Sequence, residues 1–262
     1  MIRNILRTFA LMFLLSSATL AQVVHYGVCV GINDYPGTIN DLQYCVNDAQ
    51  QILYRLRDYQ GWALANLVLK TDAQATKTNI LNAVSAMPRT SSYSDLFHYS
   101  GHGDYSGIWV VDQTDLSPSD LQSAFGSSYY QYASYLDACH SGIFPRDMTH
   151  GVISSACTVD EVSWEFPALQ HGVFSYYLIQ GLTNNVAGGS DGIVTAEELH
   201  NYATPRTTRD LAEKWIPEEC GAEFHGETYE GHREQIFSRC FSVNFSVAFC
   251  VILRKRGFRP SF

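Results

Sequence analysis

Residues 23–32, VVHYGVCVGI, form a nearly continuous apolar run that stops at Asn33-Asp34-Tyr35-Pro36-Gly37. A run of strand length closed by turn residues reads as a buried strand followed by a loop. Beyond this loop, helical and strand periods alternate along the chain. Residues 41–58 place Leu42, Val46, Ala49, Leu53 and Leu56 at helical spacing. Residues 66–70 read as a strand. Thr76 caps a helix running to about Met87 with Ile80, Leu81 and Val84 inward. Strands are expected over 95–99, 107–111, 132–138 and 151–157. Ser117-Pro118 opens a short helix, residues 172–183 form another, and Thr195-Ala196-Glu197-Glu198 is a capping box that opens the last. Strands alternating with helices predict an α/β, three-layer fold with a mainly parallel central sheet flanked by helices.

The ends of the chain read differently. Arg3 and Arg7, the apolar stretch Phe9 to Leu15 and the small-residue site Thr19-Leu20-Ala21 make residues 1–21 a secretory signal peptide. Cleavage after Ala21 moves the net charge from −9 to −11 and predicts a secreted or periplasmic protein. An uncleaved anchor is the rival reading, disfavoured by the short apolar core. No apolar run reaches the roughly 18 residues of a spanning helix. Residues 22–204 read as one domain. Residues 205–262 form a polar, turn-rich extension that ends in FSVNFSVAFCVIL and RKRGFRP.

Composition narrows the function. At 46% hydrophobic and 16% charged, the chain is too apolar for a disordered tail, and its acidity argues against non-specific nucleic-acid binding. All seven cysteines lie beyond residue 21, so an exported chain keeps at least one thiol unpaired within itself. No CxxC pair occurs, and His225 and His232, with Glu227 and Glu230 between them, fit no common zinc spacing, so no metal site is expected.

Two strand ends carry chemistry. One runs into Tyr99-Ser100-Gly101-His102-Gly103, the other into Asp137-Ala138-Cys139-His140-Ser141-Gly142. In parallel α/β sheets ligands bind beyond the carboxyl ends of strands. A cysteine at one such end and a histidine from the neighbouring loop are what nucleophilic catalysis needs. The backbone amides of Gly103 and Cys139 are then candidates for holding an oxyanion. His140 needs no chemical role beside them.

These residues carry a family resemblance. HYGVCVGIND at 25–34, CVND at 45–48, YSGHGD at 99–104, DACHSG at 137–142, SACTVDEVSWE at 155–165 and HGVFSYYLIQGL at 171–182 resemble the caspase-like cysteine peptidases, within them the metacaspase and bacterial caspase-homologue branch. The resemblance implies a caspase–haemoglobinase-like fold and peptide-bond hydrolysis by His102 and Cys139, with no obligatory third member and no required cofactor. It places Cys45, Asp48, Ser100 and Asp137 in a substrate pocket. Caspases proper cut after aspartate and carry glutamine where this chain has Asp137. An acidic pocket instead implies peptide or protein substrates with Arg or Lys before the cut, and two carboxylates favour a guanidinium.

The resemblance also brings calcium activation into view. Asp112, Asp115, Asp120 and Asp147 are candidate oxygen ligands, although their spacing matches no recognised loop. Residues 187–198, AGGSDGIVTAEE, place Asp191, Gly192 and Glu198 like the end of a calcium loop, but Ala187 and Gly189 stand where carboxylates would be needed. A glycine turn leading into a capped helix is the simpler reading. Arg146, in IFPRDM, is a candidate self-cleavage site. Two alternatives keep the same domain: a catalytically silent binding or scaffold module, and a transpeptidase or ligase using the same dyad.

Overall fold

The computed structural model describes residues 24–89, 93–126 and 132–210. The leader over 1–21, Cys220, Cys240, Cys250 and the His225–His232 segment lie outside the described residues. In chain order the elements are β1 (Val24–Gly31), α1 (Cys45–Asp58), β2 (Leu67–Thr71), α2 (Lys77–Ser85), β3 (Tyr93–Ser100), β4 (Ile108–Trp109) and β5 (Asp115–Leu116). Then come α3 (Pro118–Phe125), β6 (Tyr132–Asp137), α4 (Ile143–Asp147), β7 (Val152–Ser155), β8 (Glu165–Phe166), β9 (His171–Gly172), α5 (Val173–Leu182) and α6 (Ala196–Asp210).

Five parallel strands form the sheet in the order β2-β1-β3-β6-β7. The strand period of two sends alternate residues to two cores. Val28 and Val30 of β1 and Phe97 and Tyr99 of β3 join Ile80, Val84, Leu121, Phe125 and Phe144 on one side. Cys29 and Leu96 join Ile52, Leu56, Phe174, Leu178 and Leu199 on the other. Helices α2, α3 and α4 therefore cover one face and α1, α5 and α6 the other, which is the expected three-layer α/β fold.

Two expected elements differ. The strand expected over 107–111 shrinks to Ile108–Trp109, paired antiparallel with Asp115–Leu116 outside the main sheet. Gln113 takes a left-handed φ of 60° and Val110 donates to the Thr114 carbonyl, so the chain reverses before a longer strand can form. The first helix begins at Cys45 rather than 41. Its free leading amides find partners elsewhere: Gln43 N and Tyr44 N donate to Glu165 at 2.9 and 3.0 Å, and Val46 N donates to Asn33 Oδ1 at 3.1 Å. The caps at Thr76, Ser117 and Thr195 form as expected, and the last two are reciprocal capping boxes. The edge drawn at residue 204 falls inside α6.

The parallel register delivers the site. Gly31, Ser100 and Asp137 stand side by side at the carboxyl edge of β1, β3 and β6. Gly31 lets α1 press onto this edge: a Cβ there would overlap the Cys45 carbonyl and come within 2.9 Å of Val46 Cα. Backbone cannot yield as a flexible side chain can, so Gly31→Ala should destabilise the fold by about 1–3 kcal/mol in denaturant unfolding, the usual cost of overpacking. An unchanged midpoint would contradict this seating of α1.

Candidate active site

The loop after β3 is held by two buried tyrosines that sequence reasoning passed over. His102 N donates to Tyr35 Oη at 2.9 Å, and the Tyr35 and Tyr99 hydroxyls lie 3.1 Å apart. Tyr99 Oη donates toward the carbonyls of His102 at 2.8 Å and Trp109 at 2.6 Å. The His102 peptide is thus gripped at both its N–H and its C=O. Gly101 is required beside this grip, because a Cβ would overlap both hydroxyls.

The His102 ring lies between Tyr35 (centroids 4.9 Å apart) and Trp109 (5.4 Å). Trp109 Nε1 in turn donates to Asp104 at 2.8 Å. His102 Nε2 is 2.9 Å from the Asn40 carbonyl, which can only accept, so Nε2 carries the proton there and Nδ1 is left able to take one.

The loop after β6 is a tight turn. Cys139 lies just past the strand, and His140 has a left-handed φ of 56°. That conformation is held from three sides. His140 N donates to the Glu161 carbonyl at 2.9 Å, Nδ1 donates to the Val159 carbonyl at 2.7 Å, and Tyr105 packs on the ring at 4.2 Å. His140 therefore pins the turn. Cys139 Sγ is half-buried and donates to the Ser163 carbonyl at 3.8 Å. Burial, reinforced by the nearby Asp137 charge, pushes its thiol above the usual range, so the resting group is a neutral thiol.

Adjacent strands bring Cys139 and His102 to one edge, with no hydrogen bond between the two side chains. Gly103 lies directly against the cysteine turn, where a Cβ would come 2.7 Å from the Cys139 carbonyl. Gly103 bridges Ile108, while His102, Asp104, Gly107 and Trp109 make the flanking hydrogen bonds. In such a pairing the Gly103 N–H points away from the hairpin.

The four pocket residues expected from the resemblance come together, and all are buried. Ser100 Oγ donates to Asp48 Oδ2 at 2.7 Å. Asp48, with no exposed surface, also accepts from Gly172 N at 3.2 Å and from His171 Nδ1 at 2.6 Å. Asp137 accepts from Ser163 Oγ at 2.5 Å and Ser175 N at 2.8 Å. Cys45 Sγ lies 3.8 Å from Glu165 Oε2.

Burial pushes the Asp48 carboxyl up to about 7 against the pull of its His171 and Ser100 hydrogen bonds, and the Asp137 charge adds to the rise. Asp137 is raised for the same first reason, and Cys45 is raised well above its ordinary value by burial and by Asp48. Gly172 sits between the carboxylates, since a Cβ there would press on Asp137 and lie 3.2 Å from Asp48 Oδ2. Ser163, Glu165, His171 and Ser175 are site residues that sequence reasoning did not single out. The signal that could have found them is the family-like stretch over 155–182, which carries all four.

The remaining candidates lie apart from this edge. Asp112 accepts from Lys77 N and Thr114 Oγ1, the Asp115 carbonyl accepts from Lys77 Nζ at 2.8 Å, and Asp120 forms an ion pair with Lys77 Nζ at 2.8 Å. The Lys77 ammonium thus meets two of the four aspartates named for calcium, Asp115 through its carbonyl and Asp120 through its carboxylate, and Asp147 pairs with Arg146 at 2.6 Å. Among the described residues no cluster of three or more His, Cys, Asp or Glu is disposed to hold a metal. Residues 187–198 form the glycine turn before the capped helix, with Glu198 bonded to Thr195.

Arg146 lies inside α4, its amide bonded to the Gly142 carbonyl. A peptidase cleft takes extended chain, so the structure argues against self-cleavage there in this conformation. Cys29, Cys45, Cys139 and Cys157 are free thiols, and no helix among the described residues is long and apolar enough to cross a membrane.

Comparison with known proteins agrees with this geometry. A family model described as the caspase domain matches residues 25–218. The chain is 27% identical over 175 residues to Metacaspase-7 of Arabidopsis thaliana, covering 55% of this chain and 43% of that protein. It is 32% identical over 140 residues to Metacaspase-1 of Candida glabrata, covering 43% and 36%. It is 38% identical over 108 residues to Metacaspase-1A of Aspergillus fumigatus, covering 36% and 26%. The chain therefore spans less than half the length of these relatives.

The geometry predicts two outcomes. Tyr35→Phe leaves the His102 amide and the Tyr99 hydroxyl short of a partner in a buried place, and should cost about 1–3 kcal/mol in chemical unfolding. A neutral change would contradict the tyrosine grip. A carboxyl raised from 3.8 to about 7 on folding gives stability that is present below pH 3.8 and lost as pH rises through 7. Asp48→Asn, neutral at every pH, should therefore gain in melting temperature over the wild type between pH 5 and pH 8. A gap independent of pH would contradict the buried carboxylate.

Proposed function

The chain belongs to the caspase-domain family, and from that premise we propose that it is a cysteine endopeptidase that hydrolyses peptide bonds after arginine or lysine. The observation that carries the specificity is the pair of buried carboxylates, Asp48 and Asp137, beside the Cys139 turn. A fixed carboxylate repels an acidic side chain and rewards a cation that satisfies it.

In the proposed reaction the Cys139 thiol passes its proton to His102 Nδ1 as sulfur attacks the scissile carbonyl carbon. The carbonyl π electrons move to oxygen, and the Gly103 and Cys139 N–H groups receive that oxyanion. As the tetrahedral adduct collapses, the C–N bond breaks and the departing amine takes the proton from His102. A thioester remains. Water, deprotonated by the same imidazole, attacks it and releases the acid and the thiol. A neutral resting thiol fits this order, in which proton transfer accompanies attack instead of preceding it. The leader-like sequence over 1–21 supports export, and sequencing the amino terminus of the exported protein should find Gln22.

The test uses fluorogenic peptides ending in Arg, Lys, Asp or Ala before the reporter, under reducing conditions, with and without millimolar calcium. Cleavage should favour Arg and Lys and fall to background in Cys139→Ala. Asp137→Asn should raise KM for the Arg peptide at least about tenfold, the cost of losing one charge-assisted contact. Lowering pH through about 7 should also raise that KM, because Asp48 takes up a proton and the pocket loses charge. Preference for Asp would overturn the pocket. Activity surviving in Cys139→Ala would overturn the nucleophile.

A further inference from the structure

The pocket holds more negative charge than it can easily keep. Asp48 on α1, Asp137 on β6 and Glu165 on β8 converge with the Cys45 thiol between them, and Asp48 has no access to water. Ser100 Oγ and Gly172 N satisfy only Oδ2 of Asp48. Its other oxygen faces His171 Nδ1 at 2.6 Å. Among the described residues His171 is the one basic side chain in contact with any of the three carboxylates. It is also well placed to be held there. Asn47 Nδ2, bonded to the Gln170 carbonyl at 2.9 Å, stands 3.4 Å from the imidazole, and Tyr176 flanks the ring at 6.3 Å. The side chain keeps 14% exposure, so it stands where the buried carboxylate meets the outside.

We propose that His171 is a further specificity determinant of this pocket: by donating from Nδ1 to Asp48 Oδ1 it keeps that carboxylate anionic and aimed, so that the pocket selects a cationic side chain over an uncharged one of the same shape. His171 acts through Asp48 and is a positioning residue. The inference deepens the basic-residue reading above and rests on it for its consequence in catalysis. The His171–Asp48 couple itself does not depend on that reading. Of the groups facing Asp48, the Asp137 charge opposes its ionisation, Ser100 Oγ and Gly172 N favour it as neutral donors on Oδ2, and His171 is the one basic side chain that does so. An uncompensated buried carboxylate takes a proton, so removing the imidazole favours the neutral form of Asp48 and takes one negative charge from the pocket.

The test compares the wild type with His171→Asn, whose amide falls near the place of Nδ1 without a charge, and with His171→Ala. Each is given a peptide ending in arginine and the same peptide ending in citrulline, the uncharged isostere. The arginine-to-citrulline ratio of kcat/KM should fall at least about tenfold in His171→Ala, equivalent to one pKa unit at Asp48. The loss should lie in KM, with kcat for arginine within about twofold. His171→Asn should fall between, with its KM–pH midpoint moved to higher pH.

An unchanged ratio in folded variants overturns the proposal. So does an equal loss for both peptides, which would mark a purely structural role, or a lower KM for arginine, which would mark His171 as a plug. Proton NMR of the unliganded protein supplies the independent arm. A low-field, slowly exchanging imidazole N–H signal should be present in the wild type, absent in His171→Asn, and moved upfield in Asp48→Asn. Its absence from the wild type overturns the couple. If neither peptide is cleaved, the peptidase reading fails while this signal still decides the proposal.

Discussion

Burying two carboxylates side by side at the carboxyl edge of a parallel sheet is the constraint around which this molecule is arranged. An ionised group taken out of water without partners is far too costly to persist. The fold meets that cost with donors drawn from distant parts of the chain: Ser100 from β3, His171 and Gly172 from β9, Ser163 from the loop before β8, and the Ser175 amide from α5. Even so, Asp48 remains raised to about 7. Such an arrangement is poor as a stabilising device, because a well-packed apolar cluster is often as stable or more so. In the function proposed above, its value lies in selecting charge.

The same edge positions the proposed dyad. Register fixes Ser100 opposite Asp137, so the loops leaving β3 and β6 begin side by side, one carrying His102 and the other Cys139. Each loop is then locked by contacts that do no chemistry. The Tyr35–Tyr99 pair holds the His102 peptide, and the carbonyls of Val159 and Glu161 hold His140 in its left-handed conformation. Glycine is needed where backbone meets backbone or a hydroxyl, as at Gly101 and Gly103. Rigid placement of the loops is consistent with a site that works by orientation.

Much of this was legible in the residues, for physical reasons that also mark the limit. The three-layer fold comes from periodicity and caps, which are local, and Thr76, Ser117 and Thr195 announce their helices within three residues. The start of α1 was not legible, because Glu165, some 120 positions away, receives the amides that precede it. The run over 107–111 has strand composition, but the turn at Gln113 cuts it to two paired residues.

At the site, a cysteine and a histidine in glycine-rich strand ends are distinctive, and four pocket positions came with the family pattern. Tyr35, His171, Ser163 and Glu165 are common residue types whose meaning arises only from what the fold sets beside them. The helical setting of Arg146 is hidden in the same way, because nothing local shows that its peptide is helical.

Everything at this edge turns on whether Cys139 is the nucleophile of a cation-selecting pocket. The most direct measurement is covalent trapping of the folded protein with two peptidyl acyloxymethyl ketones that differ only in ending with arginine or aspartate, read by intact mass and peptide mapping. A single adduct on Cys139 that forms with the arginine probe, and much more slowly with the aspartate probe, is the predicted result. Equal rates with both probes, or labelling of Cys45 or Cys157 in place of Cys139, would contradict it.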